Sequence, residues 1–254
     1  LDPNPTVRGG GVEALLQGGI EVEVGLLEEE CERQMEAFMH WCKHRRPLVT
    51  IKASTDSNGR IDGDASEPAQ RFSSAESLAL AQQIRADSMV ILVGVNTVIR
   101  DNPSLTVRGP DTGPREAPIR VVIDPNDRTP PDCRLMTDGE APTLLIQSSE
   151  HDHSRDAEHV ERVVIPEQEI PVARILDMLG DRGIQSILVE GGADTWSRFL
   201  SEGMVDMARL CVSPINLSGS KGPVFTGKSL SECGLTLSSQ ETASGDHIEW
   251  WERK

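Results

Sequence analysis

From residue 47 onward, short runs rich in β-branched residues alternate with segments that have helical spacing. This alternation is typical of an α/β layer architecture, in which helices cover a sheet. The predicted strands are 48–53, 89–93, 119–123, 143–147, 163–165, 186–190, 207–212, 235–238 and 247–251. The final strands follow one another without room for a helix, so we predict a mixed sheet rather than a purely parallel one.

Helices are predicted where apolar residues recur at helical spacing, at 74–86, 172–181 and 194–201. A short helix is also predicted between a glycine turn at Gly94 and the stop at Asp101-Asn102-Pro103. The first 46 residues have a different pattern, which predicts a helix at 12–17, a strand at 20–24 and a glutamate-rich helix at 27–41. This leading segment is too short to form a domain alone.

The chain carries a formal net charge of −16 and shows no cluster of lysine and arginine. This excludes a nucleic acid or an anionic membrane surface as the main partner, because either calls for concentrated positive charge. No run of about 18 apolar residues is present, so no membrane-spanning helix is predicted. An anionic ligand has to be held locally, by a few arginines, backbone N–H groups or helix N-termini.

Five cysteines are scattered along the chain with no C-x-x-C pair. Such a set fits reduced thiols better than a disulfide framework, so we expect a cytoplasmic location, or a plastid if a targeting peptide precedes Leu1. His151, His153 and His159 lie in a polar stretch without a supporting cysteine, which favours a solvated loop over a metal site. We therefore expect no bound metal.

The stretch "SILVEGGADTWSRFL", residues 186–200, joins an apolar strand to a helix through Glu190, Gly191 and Gly192. The glycines leave room for a ligand, and the free N–H groups at the start of the helix favour phosphate. Two other interpretations stay open: the glycines can simply permit a tight turn, and Glu190 can form a buried ion pair with an arginine. The G-x-G-x-x-G fingerprint of a Rossmann dehydrogenase is absent.

Three separated motifs together resemble the reductase domain of riboflavin biosynthesis. They are "RFSSAESLALAQQIRADSMVILVGVNTVIRDNPSLTVR" (71–108), "IRVVIDPNDRTP" (119–130) and "ILVEGGADTWSRFLSEGMVDMARLCVSPINLSG" (187–219). The resemblance covers residues 47–254 and implies a dihydrofolate-reductase-like three-layer α/β fold with a mixed, mostly parallel central sheet. Residues 1–46 are similar to the tail of the deaminase domain that precedes this reductase in the bifunctional enzyme. The zinc-binding H-x-E and P-C-x-x-C motifs of that deaminase are absent, so no deaminase activity is expected.

The resemblance implies NADPH-dependent reduction of 5-amino-6-(5-phosphoribosylamino)uracil to its ribitylamino product. Two alternatives remain: a reductase acting on the related diamino-pyrimidinone that has not been deaminated, and a non-catalytic partner module that keeps the fold. A homodimer is also implied, and the apolar strand at 208–212 could supply its interface.

Site residues follow from the resemblance, motif by motif. Substrate contacts are implied at Arg85, Leu105, Arg108 and Glu190. Cofactor contacts are implied at Thr55, Thr97, Asp101, Gly191, Gly192, Ala193, Asp194 and Thr195. The catalytic residues implied are Lys52, which would polarise the opening sugar, Asp101, which would assist orientation or proton transfer, and Glu190.

This chain departs from the family pattern at several positions. The first-strand motif K-x-x-x-S-x-D-G-K/R begins at Lys52, and it has Asp56 in place of the serine and Asn58 in place of the aspartate. Ala69 stands at a usual substrate-binding serine, and Pro125 at a cofactor-side serine. A missing hydroxyl typically weakens binding by about 1–3 kcal/mol. We therefore expect altered affinity or substrate choice rather than an altered fold.

Overall fold

The computed structural model describes residues 4, 7, 10–63, 72–109, 117–151, 156–217 and 224–253. The helices in chain order are α1 (Gly10–Gln17), α2 (Glu28–Gln34), α3 (Glu36–His44), α4 (Ala75–Ala86), α5 (Val95–Asp101), α6 (Arg134–Thr137), α7 (Val172–Asp181), α8 (Ala193–Ser201) and α9 (Gly227–Glu232). The strands are β1 (Leu48–Thr55), β2 (Val90–Gly94), β3 (Ile119–Ile123), β4 (Thr143–Gln147), β5 (Val160–Val164), β6 (Ser186–Gly191), β7 (Met207–Val212), β8 (Leu235–Ala243) and β9 (Asp246–Arg253).

Nine strands form a single sheet in the order β5-β4-β3-β2-β6-β1-β7-β9-β8. The strands from β5 to β7 in that order are parallel to one another. The antiparallel pairs are β7 with β9 and β9 with β8, which form the closing hairpin. The prediction of a mixed, mostly parallel sheet is therefore confirmed.

Helices cover both faces of the sheet. On one face, Val49, Ile51 and Ala53 of β1 join a large core with buried residues of α7 and α8. On the other face, Ile91 and Val93 of β2 pack with buried residues of α5 and α6. Strands covered on both sides are expected to be almost continuously hydrophobic, as β2 is. The result is a three-layer arrangement in which the carboxyl ends of the parallel strands lie along one edge.

The leading segment differs from its prediction in two places. Residues 20–24 form no strand, because no neighbouring strand pairs with them in the described part of the chain, and Ile20 and Val24 are each 54% exposed. The predicted helix at 27–41 is two helices, α2 and α3, which meet at Met35. These two predictions are wrong because the secondary structure of this segment depends on tertiary contacts, which the local sequence pattern does not show.

Helix α3 packs against the sheet-bearing body. Trp41 Nε1 donates a hydrogen bond to the Gly180 oxygen at 2.9 Å, and Cys42 is buried. Gly180 must remain a glycine, because a Cβ there would lie 2.1 Å from the Arg45 oxygen. Residues 36–46 are therefore in contact with α7, which belongs to the part of the chain that contains the sheet.

Strand β7 does not offer the dimer interface that its apolar residues suggested. It lies inside the sheet, paired with β1 on one side and β9 on the other, and Ala208, Leu210 and Cys211 are buried within the chain. A strand with both edges paired and its apolar side chains covered has little left to offer a second subunit.

Among the described residues, no helix is both long and apolar enough to cross a lipid bilayer.

Candidate active site at the carboxyl edge of the sheet

Glu190 lies near the end of β6 and forms a bidentate ion pair with Arg85 of α4. Arg85 Nε lies 2.7 Å from Glu190 Oε1, and Arg85 Nη2 lies 2.5 Å from Oε2. The side chains are only 13% and 11% exposed. Burial alone lowers the pKa of Arg85, but the hydrogen bonds and charge of Glu190 raise it above its ordinary value. Glu190 therefore forms the buried ion pair with an arginine that its sequence context allowed.

Lys52 and Glu190 lie on the neighbouring strands β1 and β6. In this parallel pair Ile51 is opposite Val189, the last paired position, and Lys52 and Glu190 are the next residues of each strand. The pairing of β6 with β2 is irregular at this level, since Leu92 is opposite Val189 and Val93 is opposite Gly191. Lys52 Nζ donates to Ser54 Oγ at 2.6 Å. The structure therefore places two of the three residues predicted to be catalytic on neighbouring strands, each directly after the last residue pair between those strands.

Asp101, the third predicted catalytic residue, is the last residue of α5. Its described electrostatic neighbours are Asp62 and Arg100, which pair with each other at 3.1 Å. Partial removal of water raises the pKa of Asp101, the charge of Asp62 raises it further, and Arg100 lowers it in part. Because these contacts do not reach Lys52 or Glu190, a catalytic role for Asp101 stays a prediction.

The glycines of the strand-to-helix junction permit close packing between β6 and α5. A Cβ on Gly191 would lie 2.8 Å from Thr97 Oγ1, and Gly192 has a φ of 80° that most side chains disfavour. Gly192 is also the N-cap of α8 and supplies no side-chain cap. The first N–H groups of α8 therefore remain available to a ligand.

A cleft of about 200 Å³ opens beside this junction. It is lined by four of the predicted cofactor positions, Thr97, Gly192, Asp194 and Thr195. Ala193 lies between two of these as the first residue of α8, and Gly191 immediately precedes them. Thr55 is buried at the end of β1, and its Oγ1 has no hydrogen-bond partner within the described part of the chain. Glycines that admit a ligand together with uncapped helix N–H groups fit the phosphates of a dinucleotide.

Two arginines that sequence reasoning did not single out also line the cleft. Arg128 donates to Asn96 Oδ1, and Arg198 donates to the Ile170 oxygen. The loop that carries Arg128 is held by buried Asp124, which accepts hydrogen bonds from the Arg128 and Thr129 amides at 2.9 and 2.7 Å. The sequence signal that could have identified Arg128 is its position just beyond β3, because ligands bind at the carboxyl ends of parallel strands.

The departure at Asp56 has a structural explanation. Its carboxylate is fully buried and accepts the amides of Asn58 and Arg60 at 2.8 Å each and that of Leu217 at 2.9 Å. Burial alone raises the pKa of Asp56, but these backbone hydrogen bonds lower it below its ordinary value. Asp56 thus ties the turn after β1 to the segment after β7.

The other two departures concern missing serines. Pro125 lines the cleft, and its oxygen accepts hydrogen bonds from the Ser148 amide at 3.1 Å and from Ser148 Oγ at 2.6 Å. Proline offers the cofactor no side-chain donor at this position. Ala69 lies outside the described residues.

The remaining predicted substrate residues lie on the irregular segment after α5. Leu105 is 2% exposed and has a left-handed backbone with a φ of 48°. Arg108 is exposed, and its amide donates to Gln82 Oε1 at 2.6 Å. Arg85 reaches this segment as well, because its Nη1 donates to the Thr106 oxygen at 2.9 Å. Arg85 therefore contacts both Glu190 and the irregular segment.

Comparison with known proteins identifies the family. The family model described as the RibD C-terminal domain matches residues 47–248. The riboflavin biosynthesis protein RibD of Aquifex aeolicus is 34% identical over 214 residues, which cover 84% of this chain and 59% of that protein. The 2,5-diamino-6-ribosylamino-4(3H)-pyrimidinone 5′-phosphate reductase of Methanothermobacter thermautotrophicus is 34% identical over 177 residues, covering 68% of this chain and 81% of that protein.

A solved structure gives the same answer at the level of the fold. A diaminohydroxyphosphoribosylaminopyrimidine deaminase/5-amino-6-(5-phosphoribosylamino)uracil reductase from Thermotoga maritima has a TM-score of 0.84 and 27% identity, covering 100% of this chain and 69% of that chain. The curated RibD relatives are longer than this chain, which spans 59% and 60% of two of them. The dihydrofolate-reductase-like fold expected from the motifs is confirmed. The chain belongs to the RibD C-terminal domain family.

Proposed function

We propose that the chain is an NADPH-dependent reductase that converts 5-amino-6-(5-phosphoribosylamino)uracil to its ribitylamino product in riboflavin biosynthesis. The observation that carries this proposal is the buried ion pair of Arg85 and Glu190 near the end of β6, with Lys52 on the neighbouring strand β1. The pair lies at the carboxyl edge of the sheet, where the glycine-led start of α8 also lines a cleft. A cation, a carboxylate and a helix start that favours phosphate suit the reduction of a phosphorylated sugar by a dinucleotide.

NADPH supplies the hydride when it is bound. The N–H groups of Ala193 to Thr195 suit its bridging phosphates. The guanidinium of Arg128 suits the additional phosphate that distinguishes NADPH from NADH, because it is exposed at the cleft. Asp194 adds negative charge to the same helix turn, so the arginines are needed to make the cleft attractive to an anion.

On the substrate side, the residues orient the opened sugar and stabilise charge. Lys52 can donate to the ring oxygen of the sugar, which takes the electron pair of its bond to C1 as the ring opens to the imine that is then reduced at C1. Glu190 uses two acceptor sites for Arg85 and retains others for sugar hydroxyls or the pyrimidine amine. Asp101 would assist orientation or proton transfer, and its raised pKa would help it to hold a proton.

The runner-up substrate is the diamino-pyrimidinone that has not been deaminated. The relative from Methanothermobacter thermautotrophicus carries the name of that reductase, and 68% of this chain aligns with it. The third alternative, a non-catalytic module, differs from both because it binds ligands without turnover. We further propose a homodimer, and we propose that residues 1–46 are the tail of a deaminase-like domain without deaminase activity of its own.

The deciding experiment is NADPH oxidation by the purified chain with each pyrimidine in turn. We expect oxidation with the uracil compound at least tenfold faster than with the diamino-pyrimidinone, and loss of the rate in a Lys52→Met variant that binds NADPH normally. Faster oxidation with the diamino compound would select the runner-up. NADPH binding without oxidation in the presence of either compound would reject both reductase assignments and leave the non-catalytic module.

A further inference from the structure

Three side chains from neighbouring elements hold the irregular segment after α5. Residues 102–108 form neither helix nor strand. The contacts join Arg120 Nη1 to the Ser104 oxygen at 3.3 Å, Arg85 Nη1 to the Thr106 oxygen at 2.9 Å and the Arg108 amide to Gln82 Oε1 at 2.6 Å. Because these anchors come from β3 and α4, the segment has a defined position without secondary structure of its own.

The backbone of this segment needs such anchors. Leu105 has a φ value of 48°, in the left-handed region that a residue with a bulky side chain disfavours. Leu105 is buried in the core beneath the segment, which fixes its centre. Arg120 is a firm support, because it is fully buried and paired with Asp138 at 2.8 Å.

Among the residues that the structure describes, the guanidinium at the end of the segment has no partner. Arg108 is exposed, and in the described part of the chain its side chain makes no hydrogen bond or ion pair. Its planar donors match a phosphate in bidentate fashion. In a chain with a net charge of −16, an arginine held next to a candidate active site and left unpaired is suited to an anionic ligand.

We propose that Gln82 is a positioning residue, which holds the Arg108 backbone so that the Arg108 guanidinium meets the 5′-phosphate of the substrate. Gln82 and Arg85 are three residues apart on α4 and therefore lie on the same side of that helix. One helix thus holds Glu190, the Thr106 carbonyl and the Arg108 amide. Helix α4 thereby links the carboxylate of Glu190 to the backbone that carries the proposed phosphate ligand, which favours preorganisation of the site.

This inference rests on the proposed function, and its test is a pair of matched variants. Gln82→Met keeps the length of the side chain and removes the acceptor. Gln83→Met makes the same change at the next position of α4, where the side-chain amide contacts Asp87 Oδ2 instead. Binding of the phosphorylated ribosylaminopyrimidine and of its dephosphorylated counterpart is measured by calorimetry, alongside steady-state kinetics and melting temperature.

We expect Gln82→Met to raise the Kd and KM for the phosphorylated compound about three- to tenfold, the loss typical of one hydrogen bond. The kcat, the Kd of NADPH, the melting temperature and the Kd of the dephosphorylated compound should not change, and Gln83→Met should change none of these quantities. An equal loss for both pyrimidines, or no loss for either, would overturn the role of Gln82. The binding measurements stand whether or not the wild-type protein turns over, so absence of NADPH oxidation would count against the proposed function alone.

Discussion

At the scale of single residues, the ion pair between Arg85 and Glu190 couples the candidate active site to the stability of the fold. Glu190→Gln leaves the largely buried guanidinium of Arg85 without its counter-ion. We expect the free energy of unfolding to fall by about 3 kcal/mol, together with the rate of NADPH oxidation. Urea denaturation and the oxidation assay measure the two effects.

The control for this prediction is the double variant Arg85→Leu/Glu190→Leu. Replacing both charges removes the uncompensated guanidinium, so part of the lost stability should return while the activity stays low. A single Gln variant as stable as the wild type would show that the pair does not contribute to the fold.

The buried carboxylate of Asp56 predicts a stability that depends on pH. Its pKa is lower in the folded protein than in the unfolded chain, because three backbone amides donate to the ionised form. The associated stability is therefore fully present above the unfolded pKa of about 3.9 and is lost as the pH falls through the folded pKa. We expect Asp56→Asn to reduce the free energy of unfolding at pH 7 and the deficit to shrink steadily below about pH 4. If the loss in free energy of unfolding were the same at pH 7 and below about pH 4, this account would be contradicted.

Sequence reasoning singled out residues inside motifs but could not pair residues in distant segments. Glu190 was singled out by its place between an apolar strand and two glycines, but Arg85 lies 105 positions away and could be paired with it only through the fold. That Lys52 and Glu190 lie on neighbouring strands follows from the pairing of β1 with β6, which no local pattern specifies. Arg128 was missed because an arginine in a loop has no periodic signal of its own.

At the scale of elements, the docking of α3 on α7 predicts an unusual response to a helix glycine substitution. Replacing a helix glycine by alanine commonly stabilises a helix by about 1 kcal/mol. In Gly180→Ala, however, the new Cβ would lie 2.1 Å from the Arg45 oxygen. We expect the free energy of unfolding to fall by about 2 kcal/mol, as for overpacking elsewhere.

Gly11 of α1 supplies the matched control, because a Cβ there meets nothing within 4 Å. Gly11→Ala should leave the free energy of unfolding of the body unchanged or slightly raise it. Thermal and urea unfolding of the two variants give the comparison. Equal effects of the two substitutions would mean that α3 is not held against α7.

The elements that the sequence predicted well are those in which local pattern and tertiary setting agree. The bounds of β3, β4, β7 and α7 match their predictions because each is an apolar run or stripe ended by polar or turn residues. Strands β8 and β9 extend beyond their predicted ranges, since the exposed β8 is held by its pairing with β9 rather than by hydrophobic alternation. Residues 20–24 have the composition of a strand but lack a partner, so they remain irregular.

At the scale of the whole molecule, the net charge of −16 works against binding a polyanionic cofactor. Local cations must overcome this field, and Arg128 is the exposed arginine in the lining of the cleft. If Arg128 holds the additional phosphate of NADPH, Arg128→Ala should raise the Kd of NADPH about tenfold or more. The Kd of NADH should change little, because NADH lacks that phosphate.

The whole-molecule field and the local contact can be separated with a second variant of the same net charge. Arg134→Ala removes one positive charge from an exposed position at the start of α6, outside the cleft lining. It should weaken binding of both cofactors slightly and equally, and less so at high salt, because only the screened long-range field has changed. Arg128→Ala should retain its selectivity for NADPH at high salt, since a direct hydrogen-bonded contact is screened far less. If the two variants changed both affinities alike, Arg128 would act only through net charge, and the preference for NADPH would have to arise elsewhere in the chain.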